Sequence, residues 1–358
     1  MNIYFLDIIC CPDCQKSLKL SNEKINSSDI LEGNLQCFTC NSDYLIIDGI
    51  PRFVSDKNYN KSWDFKWSKI DGGRGLAYLS IDKNDPAYDI HGIFDKNSYN
   101  GEPFISWKDK LVLDAGCGIG QNSYELLKMG AKVVALDLTR GVDIFKKIMI
   151  ERFPEFKNNL LIAQANIFSL PFRDESFDGI MSFGVLHHTG NTFKALQNLT
   201  RKLKNSGDIN IWIYSSEYTD ETKFEWKDKS VNRKIINHLK RNKFLYYYRD
   251  IIFYETLRFF IKRLPDRIKY YLLFLPASNL WYKFCQIPYI GIFGTAIFHT
   301  VPHPNFWYRL INLFDAFSPT FTSHHTEKEV RDWFAELNLE IKGFSDWKLG
   351  IWGKKKVN

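Results

Sequence analysis

Short apolar runs alternate with helix-forming stretches through the middle of the chain. The runs have the length of buried strands and cover residues 111–115, 132–137, 160–164, 178–183 and 209–214. The stretches 121–129 and 192–203, which lie between runs, are predicted to be helices. Alternation of buried strands with helices is typical of a parallel sheet covered on both faces. The pattern therefore predicts an α/β fold with a doubly wound sheet.

The same pattern returns near the end of the chain. Thr326 and Glu329 have the spacing of a capping box, which predicts the start of a helix. Two short strands are predicted after that helix, at Leu339–Phe344 and Lys348–Trp352. We expect residues 326–358 to complete the sheet.

A long segment, 217–325, interrupts the alternation and is rich in aromatic and basic residues. Between Lys223 and Lys283 there are fifteen Lys or Arg against five Asp or Glu, whereas the whole chain has a net charge of +7. The favoured interpretation is a helical lid whose aromatic side chains surround a small acceptor. Peripheral contact with an anionic membrane through 217–325 is a second interpretation. A nucleic-acid surface is the third.

The first 55 residues contain two Cys-x-x-Cys pairs. Each pair directs two thiolates to the same side, so all four can reach one Zn²⁺ ion. Four thiolates leave no open position on the metal, so such a site is structural. A unit of about 55 residues buries too little surface to fold alone, and the metal would supply the missing free energy. A register in which Cys10 replaces the first ligand stays open. The predicted ligands are Cys11, Cys14, Cys37 and Cys40.

A glycine-rich turn follows the first predicted strand of the sheet, from Asp114 to Gly120. The dinucleotide fingerprint needs a third glycine five residues after the first. That position is a glutamine here, so a nicotinamide dinucleotide is disfavoured. The glycines let the backbone approach a cofactor closely, and the Asp114 carboxylate can meet a ligand ammonium group. Asp137 ends the next strand, where a carboxylate can accept from both hydroxyls of a ribose.

The Asp-x-Gly-x-Gly-x-Gly turn resembles the first motif of class I S-adenosylmethionine-dependent methyltransferases. Asn166–Asp178 is similar to that family's Asp-x-x-x-Leu-Pro-Phe stretch, with Asn166 standing where aspartate is usual. Ser182–His188 resembles the end of its fourth strand. The resemblance implies a Rossmann-like methyltransferase sheet and S-adenosyl-L-methionine as cofactor. The cofactor-binding residues that it implies are Asp114, Gly116, Gly118, Gly120, Asp137, Leu138, Asn166, Ile167 and Ser182.

The N-terminal unit resembles the zinc-ribbon activator subunit of nucleic-acid and protein methyltransferases, including its Asp48–Arg52 ending. A zinc ribbon placed ahead of this sheet is also similar to a ribosomal-RNA guanine methyltransferase. Structural Zn²⁺ is therefore the second expected cofactor.

Two adjacent histidines, His187 and His188, follow the fourth strand, at the edge where ligands bind in open parallel sheets. Imidazole titrates near neutral pH, so either is a candidate general base for a hydroxyl nucleophile. Packing beside the cofactor explains them equally well.

These observations divide the chain into five predicted segments. They are a zinc-ribbon module (1–55), an entry or cap segment that partly covers the next domain (56–107), the cofactor-binding core (108–216), the helical insert or lid (217–325) and the end of the core (326–358).

The favoured function is methyl transfer from S-adenosylmethionine to a small or lipid-linked metabolite by in-line displacement. The alternative acceptor is a base of rRNA or tRNA, held by the ribbon and the basic insert. A non-catalytic binding protein is disfavoured because the cofactor motif is intact. Paired cysteines suit a reducing compartment, and the N-terminus lacks the pattern of a signal peptide. We expect a cytoplasmic location, with a membrane-peripheral one as the second option.

Overall fold

The computed structural model describes residues 1–54, 61–69, 106–216, 255–291, 305–344 and 349–357. Its larger sheet has seven strands. They are β5 (Leu111–Ala115), β6 (Lys132–Asp137), β7 (Leu160–Gln164), β8 (Phe177–Phe183), β9 (Leu203–Trp212), β10 (Leu339–Phe344) and β11 (Gly350–Lys355).

The strands of this sheet follow the order β10-β11-β9-β8-β5-β6-β7. Neighbours from β7 to β9 are parallel, whereas β11 is antiparallel to both β9 and β10. The chain moves outward from β5 to β7 and then returns to the other side of β5 with β8. Ligands of open parallel sheets bind where the strand order reverses in this way. The predicted fold class, a doubly wound α/β sheet, is confirmed.

Helices cover the sheet because each has an apolar face to bury. In α4, Ala195, Leu196 and Leu199 are all fully buried, which is the spacing of one helix face. In α9, the Thr326 Oγ1 accepts from the Glu329 N–H at 3.1 Å, so the predicted cap is present. The helices of this layer are α2 (Gln121–Lys128), α3 (Gly141–Arg152), α4 (Thr192–Lys202) and α9 (Glu327–Glu336).

Two strands differ from their predicted bounds by more than one residue. The structure starts β9 at Leu203, earlier than the apolar run, because the polar turn at Ser206 is accommodated inside the strand. Ser206 has φ +60°, and the pairing with β8 shifts register between Phe177 and Gly179. The last strand, β11, ends at Lys355, three residues after its predicted end at Trp352.

The N-terminal residues form a separate four-stranded antiparallel sheet. Its strands are β1 (Lys19–Asn26), β2 (Asp29–Gln36), β3 (Asp43–Ile47) and β4 (Ile50–Pro51). Asp48 and Gly49 both have positive φ, +49° and +65°, which is the geometry of the tight hairpin turn predicted for the Asp-Gly pair.

Backbone hydrogen bonds join this small sheet to the large one. The Cys10 N–H donates to the Pro171 carbonyl at 3.0 Å, and the Arg173 N–H donates to the Ile8 carbonyl at 3.0 Å. The Phe53 N–H donates to the Gln164 carbonyl, at the end of β7, at 2.7 Å. The N-terminal unit therefore lies against the end of β7 and the loop that follows it, and these backbone bonds hold it there.

Helices also form the described part of the insert. They are α5 (Glu255–Ile261), α6 (Asp266–Ala277), α7 (Asn279–Gln286) and α8 (Phe306–Phe317), while α1 (Lys61–Ser68) belongs to the entry segment. The rest of the insert, and most of the entry segment, lie outside the described residues, so the five predicted segment boundaries stay predictions. Within the described ranges, every helix is too short or too polar to cross a membrane.

Candidate functional site

The glycine turn after β5 has a backbone conformation that only glycine adopts without strain. Gly116, Gly118 and Gly120 have φ of +89°, +55° and +90°. A Cβ added at Gly116 would lie 2.3 Å from a methyl of Val185, and one at Gly120 would lie 2.0 Å from the ring of Phe145. The turn is therefore packed closely by side chains from other segments.

Asp137, at the end of β6, holds the turn in place. One carboxylate oxygen accepts from the Gly118 N–H at 2.8 Å. The other accepts from the N–H and the hydroxyl of Thr139, at 2.8 and 2.7 Å. An ionised carboxylate has about four acceptor sites, so these three bonds leave roughly one for a ligand. That Asp137 binds a ribose stays a prediction, with less free acceptor capacity than the sequence indicates.

Asp114 lies fully buried beneath the turn. Its Oδ2 accepts from the Ser123 hydroxyl at 2.6 Å, whereas its Oδ1 is buried and has no hydrogen-bond partner among the described residues. Burial, together with the nearby Asp137, raises the pKa of Asp114 to about 7. An unsatisfied buried acceptor costs about 1–3 kcal/mol, which a cationic ligand group would recover. The site thus fits a ligand that carries an ammonium group.

The other residues predicted to bind the cofactor lie along the same edge of the sheet. The Leu138 carbonyl, after β6, accepts from the Gln164 side chain at 3.0 Å. Asn166, after β7, accepts the Phe168 N–H on its own side chain at 2.9 Å, and Ile167 is buried. Their side chains shape the loops beside the turn.

Ser182 has a structural contact of its own. Its buried hydroxyl donates to the Ala115 carbonyl at 2.8 Å, so it ties β8 to β5 beneath the turn. Its predicted contact with the cofactor stays a prediction.

Helix α1 covers the glycine turn; the sequence predicts that the entry segment covers part of the core, but it predicts no helix there. The Trp67 ring lies 2.9 Å from where a Cβ of Gly118 would be and 3.1 Å from that of Gly141. The Asp64 carboxylate accepts from the Arg140 N–H at 2.7 Å, at the start of α3. The tryptophan pair with helical i, i+4 spacing, in Trp-Asp-Phe-Lys-Trp, was the available signal for this packing helix.

A buried ion pair connects α1 to the insert. The Lys66 ammonium lies 2.6 Å from the Asp315 carboxylate on α8, and the lysine side chain is 3% exposed. Desolvation lowers the pKa of Lys66 and raises the pKa of Asp315, and each partner opposes the shift of the other. The Lys66 ammonium also lies 3.9 Å from the centre of the Trp67 ring, so the pair sits directly beside the covered turn.

The two predicted catalytic histidines lie close together but in different environments. His187 is fully buried, its Nδ1 accepts from the Tyr214 N–H at 3.3 Å, and its ring stacks on Tyr214 at 3.7 Å. Desolvation lowers its pKa well below the usual value. His187 is therefore a neutral packing residue in this structure, with an Nε2 that is buried and unpartnered among the described residues.

His188 is half-buried, and its Nδ1 lies 3.0 Å from the Phe321 carbonyl. A carbonyl only accepts, so in the neutral ring Nδ1 carries the proton and Nε2 is the unprotonated nitrogen. Desolvation lowers the pKa of His188 to about 4. The Trp63 ring of α1 lies 5.6 Å from the His188 ring, which places this histidine under the same covering helix as the glycine turn. A catalytic role for either histidine stays a prediction.

The four predicted metal ligands form one cluster in the N-terminal unit. The sulfurs of Cys11, Cys14, Cys37 and Cys40 all lie within 4.8 Å of one another. Two of these distances are 3.5 Å (Cys11 to Cys40) and 3.4 Å (Cys14 to Cys37). Zn–S bonds of about 2.3 Å in a tetrahedron place sulfurs about 3.8 Å apart, so the cluster fits a four-thiolate zinc site.

Cys10 lies outside this cluster, which decides the register that the sequence left open. Its thiol is buried next to the Gln15 side chain, and burial raises its pKa to about 11. Cys11 instead lies 3.4 Å from the Tyr44 hydroxyl, which donates to Asp13 at 2.7 Å. Such contacts hold thiolate ligands in place around a metal.

Comparison with known families identifies both parts of the chain. A family described as a methyltransferase domain matches residues 113–211, and one described as Trm112p-like protein matches residues 3–49. The first is a family of S-adenosylmethionine-dependent methyltransferases. The resemblances inferred from the glycine turn and from the cysteine pairs are thereby confirmed.

The curated relatives match only part of the chain. A tRNA U34 carboxymethyltransferase of Campylobacter fetus is 29% identical over 39% of this chain and 48% of its own length. A probable tRNA methyltransferase 9B of mouse is 30% identical over 36% of this chain and 27% of its own length. An uncharacterized protein of Methanocaldococcus jannaschii is 32% identical over 41% of this chain and 55% of its own length. The chain thus spans about half or less of the length of these relatives.

Solved structures show partial likeness too. The YcgJ protein of Bacillus subtilis is 25% identical, with 37% of this chain and 52% of that chain covered and a TM-score of 0.28. An S-adenosylmethionine-dependent methyltransferase of Mesorhizobium loti is 18% identical, with 33% and 52% covered and a TM-score of 0.29.

Proposed function

We propose that this protein binds S-adenosylmethionine at the carboxyl ends of β5, β6 and β8 and transfers a methyl group to a base of tRNA. The observation that carries the first half is the buried, unpartnered Oδ1 of Asp114 directly under a glycine turn. A carboxylate in this position suits an amino-acid ammonium group, and Asp137 suits the ribose of the same ligand.

The residues of the chain have separate roles in this proposal. The bound cofactor supplies an electrophilic methyl group on a sulfonium. Asp114 would hold the ammonium group of the cofactor's amino acid and Asp137 its ribose, and Trp67 would exclude water from the turn. The acceptor would take the methyl group, and a base or water would receive any proton that the acceptor loses. Catalysis comes mainly from holding acceptor and methyl in line.

His188 is the candidate group for that proton, because its Nε2 is the unprotonated ring nitrogen. Its pKa of about 4 makes it a weak base at neutral pH, so it would pass the proton on to water rather than keep it.

The tRNA acceptor is supported by the printed functions of relatives and by the attached module. Two of the relatives are named as tRNA-modifying transferases. The N-terminal module matches the Trm112p-like family, and its cysteine pattern resembles that of an activator of nucleic-acid methyltransferases. Backbone hydrogen bonds hold this module against the end of β7 and the loop that follows it. The metabolite acceptor favoured by the sequence alone is thus the second candidate.

A lipid-linked acceptor keeps one specific observation in its favour. The described insert helices expose large apolar side chains, including Tyr271 (71%) and Leu280 (77%). A surface of this kind suits an apolar acceptor better than a polyanion.

A labelling experiment separates the two acceptors. Purified protein would be incubated with methyl-labelled S-adenosylmethionine and, in parallel, with total tRNA, rRNA and a lipid extract from cells that lack the gene. We expect label in one tRNA nucleoside, identified by mass spectrometry. The Asp137→Ala variant should lose this label, whereas Glu151→Ala, an exposed carboxylate on α3, should keep it.

If label appeared in the lipid fraction and not in RNA, the acceptor would be lipid-linked and the tRNA proposal would be wrong. Absence of cofactor binding by calorimetry, or a preference for a nicotinamide dinucleotide, would overturn the methyltransferase assignment itself.

A further inference from the structure

Helix α6 turns an apolar stripe toward solvent. Ile268, Tyr271, Leu272 and Leu275 follow the i, i+3, i+4, i+7 spacing of one helix face. Their exposed fractions are 51%, 71%, 46% and 60%. A helix on the surface of a globular protein normally buries such a stripe, so this face is a candidate contact surface.

The opposite face of α6 is already buried against α8. Leu273 and Ala277 are fully buried in a cluster with Leu313, Phe314 and Phe317 of α8. The exposed stripe is therefore a second apolar face of the same helix, and the insert's own core does not need it.

The helices on either side of α6 continue the exposed apolar character. Phe260 of α5 is 64% exposed and Leu280 of α7 is 77% exposed. A membrane surface accepts apolar side chains from several short helices at once, because each inserts separately between the headgroups.

Exposed positive charge accompanies the stripe. Arg263, Arg267 and Lys283 are exposed, and Arg267 directly precedes the stripe. The acidic Asp266 is paired with Lys269, at 2.6 Å. Residues 255–291 contain six Lys or Arg and two Asp or Glu, so the region carries a net positive charge.

The combination of charge and apolar residues selects among the candidate occupants. A second copy of the same face would bring these cations against each other. A nucleic acid would leave the aliphatic side chains Ile268, Leu272 and Leu275 without a polar or stacking partner. An anionic lipid surface accepts both features, because apolar side chains enter the acyl boundary while Lys and Arg meet the headgroups.

We propose that the exposed stripe of α6 docks the protein on an anionic membrane surface. This inference goes beyond the proposed function and does not depend on the acceptor. Helix α8, which covers the inner face of α6, packs Ile311 in a cluster with Trp67 of α1 and Ile119 of the glycine turn. The docking face is therefore separated from the cofactor site by a single helix layer.

Vesicle co-sedimentation of the full chain tests the proposal. The probes are vesicles of phosphatidylcholine alone and vesicles with about one third phosphatidylglycerol, because anionic lipid should be required. We expect binding to the mixed vesicles, weakened at least tenfold by the double change Tyr271→Asn and Leu275→Asn. Arg267→Glu should also weaken binding and reduce its salt dependence.

Matched controls lie on other helices of the same chain. Ile150 of α3 is 59% exposed, so Ile150→Asn makes the same kind of change away from the stripe. Lys194 is exposed on α4, and Lys194→Glu matches the charge reversal. Both should bind vesicles like the unmodified protein. Circular dichroism melts and cofactor binding, measured for every variant, distinguish lost docking from lost folding.

Several outcomes would overturn the inference. Equal binding to neutral and anionic vesicles, or no binding to either, excludes an anionic membrane as the occupant. A dimer by light scattering that becomes a monomer in the Tyr271→Asn/Leu275→Asn variant assigns the stripe to a second copy. Loss of tRNA binding in that variant, with no vesicle binding by the unmodified chain, assigns it to RNA.

Discussion

The ribbon and the insert helices α5–α8 are both attached to the region of the cofactor site, but by different kinds of contact. Backbone hydrogen bonds link Ile8, Cys10 and Phe53 of the ribbon to the end of β7 and the loop that follows it. The insert helices are joined by side chains, through the ion pair of Lys66 with Asp315 and the packing of Ile311. Only the end of the insert, at Ser323 and His325, makes backbone hydrogen bonds to the core among the described residues. Backbone bonds fix a register, whereas side-chain packing tolerates substitution and repacking.

This difference indicates how each region affects the site. Loss of the ribbon fold should disturb the loop after β7 directly, because the ribbon's backbone hydrogen bonds end on Gln164 and on residues of that loop. Changes on the outer face of the insert should leave the loops intact, because a helix layer separates the two.

Removal of the metal should have the largest effect. We expect one Zn²⁺ per chain by elemental analysis. Cys14→Ser should remove it and unfold the ribbon, because structural zinc contributes on the order of 10 kcal/mol to such small modules. Cofactor affinity should fall at the same time. Cys285→Ser, a buried cysteine outside the cluster, should keep the metal. If the ribbon stayed folded in the metal-free chain, zinc would not be required for its fold, and this prediction would be wrong.

Breaking the ion pair between α1 and α8 tests how strongly side-chain contacts hold the insert in place. Lys66→Met leaves the Asp315 carboxylate buried without its partner and should cost about 3–5 kcal/mol in urea unfolding. Replacing both residues, Lys66→Met with Asp315→Leu, should restore much of that loss because no charge is left buried. A cost below about 1 kcal/mol for the single change would mean that the pair behaves as a surface contact.

The pH dependence of stability tests the burial of Asp114. Its folded pKa of about 7 lies above the ordinary 3.8, so the folded state holds the proton more tightly than the unfolded state does. The stabilisation from this group is present at low pH and is lost as the pH rises through about 7. Asp114→Asn should therefore stabilise the ligand-free protein at pH 8, by up to about 4 kcal/mol, while weakening cofactor binding.

Asp178→Asn is the control with the opposite sign. Burial raises the pKa of Asp178, but hydrogen bonds from Lys204 and from the Leu111 N–H outweigh burial and lower it overall. That variant should be less stable than the unmodified protein above pH 4, since it loses a carboxylate that the fold favours. Thermal melts of the ligand-free proteins between pH 5 and 8.5 measure both effects. A flat difference between Asp114→Asn and the unmodified chain would contradict the burial argument.

The smallest expected effect concerns a single side chain of the ribbon. Arg52 pairs with Asp143 on α3 and donates to the Gln164 side chain at 3.0 Å, and Gln164 in turn donates to the Leu138 carbonyl. Arg52→Ala should lower cofactor affinity about tenfold without loss of zinc, because the loop after β6 loses its support.

Lys157 provides the matched comparison for Arg52. It pairs with Asp29 of the ribbon but does not touch the loop after β6 in the described contacts. Lys157→Ala should leave cofactor affinity, measured by calorimetry, within about twofold of the unmodified protein, as expected for a surface pair. If both variants lost the same cofactor affinity, the effect of Arg52 would not come from its contact with Gln164, and this prediction would be wrong.

Much of the fold follows from local patterns in the chain. The five parallel strands are near-continuous apolar runs, because both faces of such strands are buried. The hairpin at Asp48 and the cap at Thr326 depend on backbone conformations that only a few residue types favour. The cysteine spacing likewise predicts the metal cluster, because two turns of the same geometry must meet at one ion.

The covering of the site depended on long-range contacts that leave little local signal. Helix α1 carries two tryptophans, but nothing in its own sequence says that Trp67 lies on Gly118. The same holds for the pairing of Lys66 with Asp315, which are 249 residues apart. The histidines show the limit most clearly. They are neighbours in the sequence, but His187 is buried and packed, whereas His188 is half-buried and lies near Trp63 of α1.

The sequence by itself thus determined the sheet, the glycine turn and the presence of a four-cysteine cluster, because each depends on residues close together in the chain or on the periodicity of burial. Only the tertiary structure decided how many acceptor sites Asp137 has left, which cysteine is outside the metal cluster, and which face of α6 is exposed. These depend on which neighbours arrive from distant segments, and the free energy of such contacts is set by packing rather than by local preference.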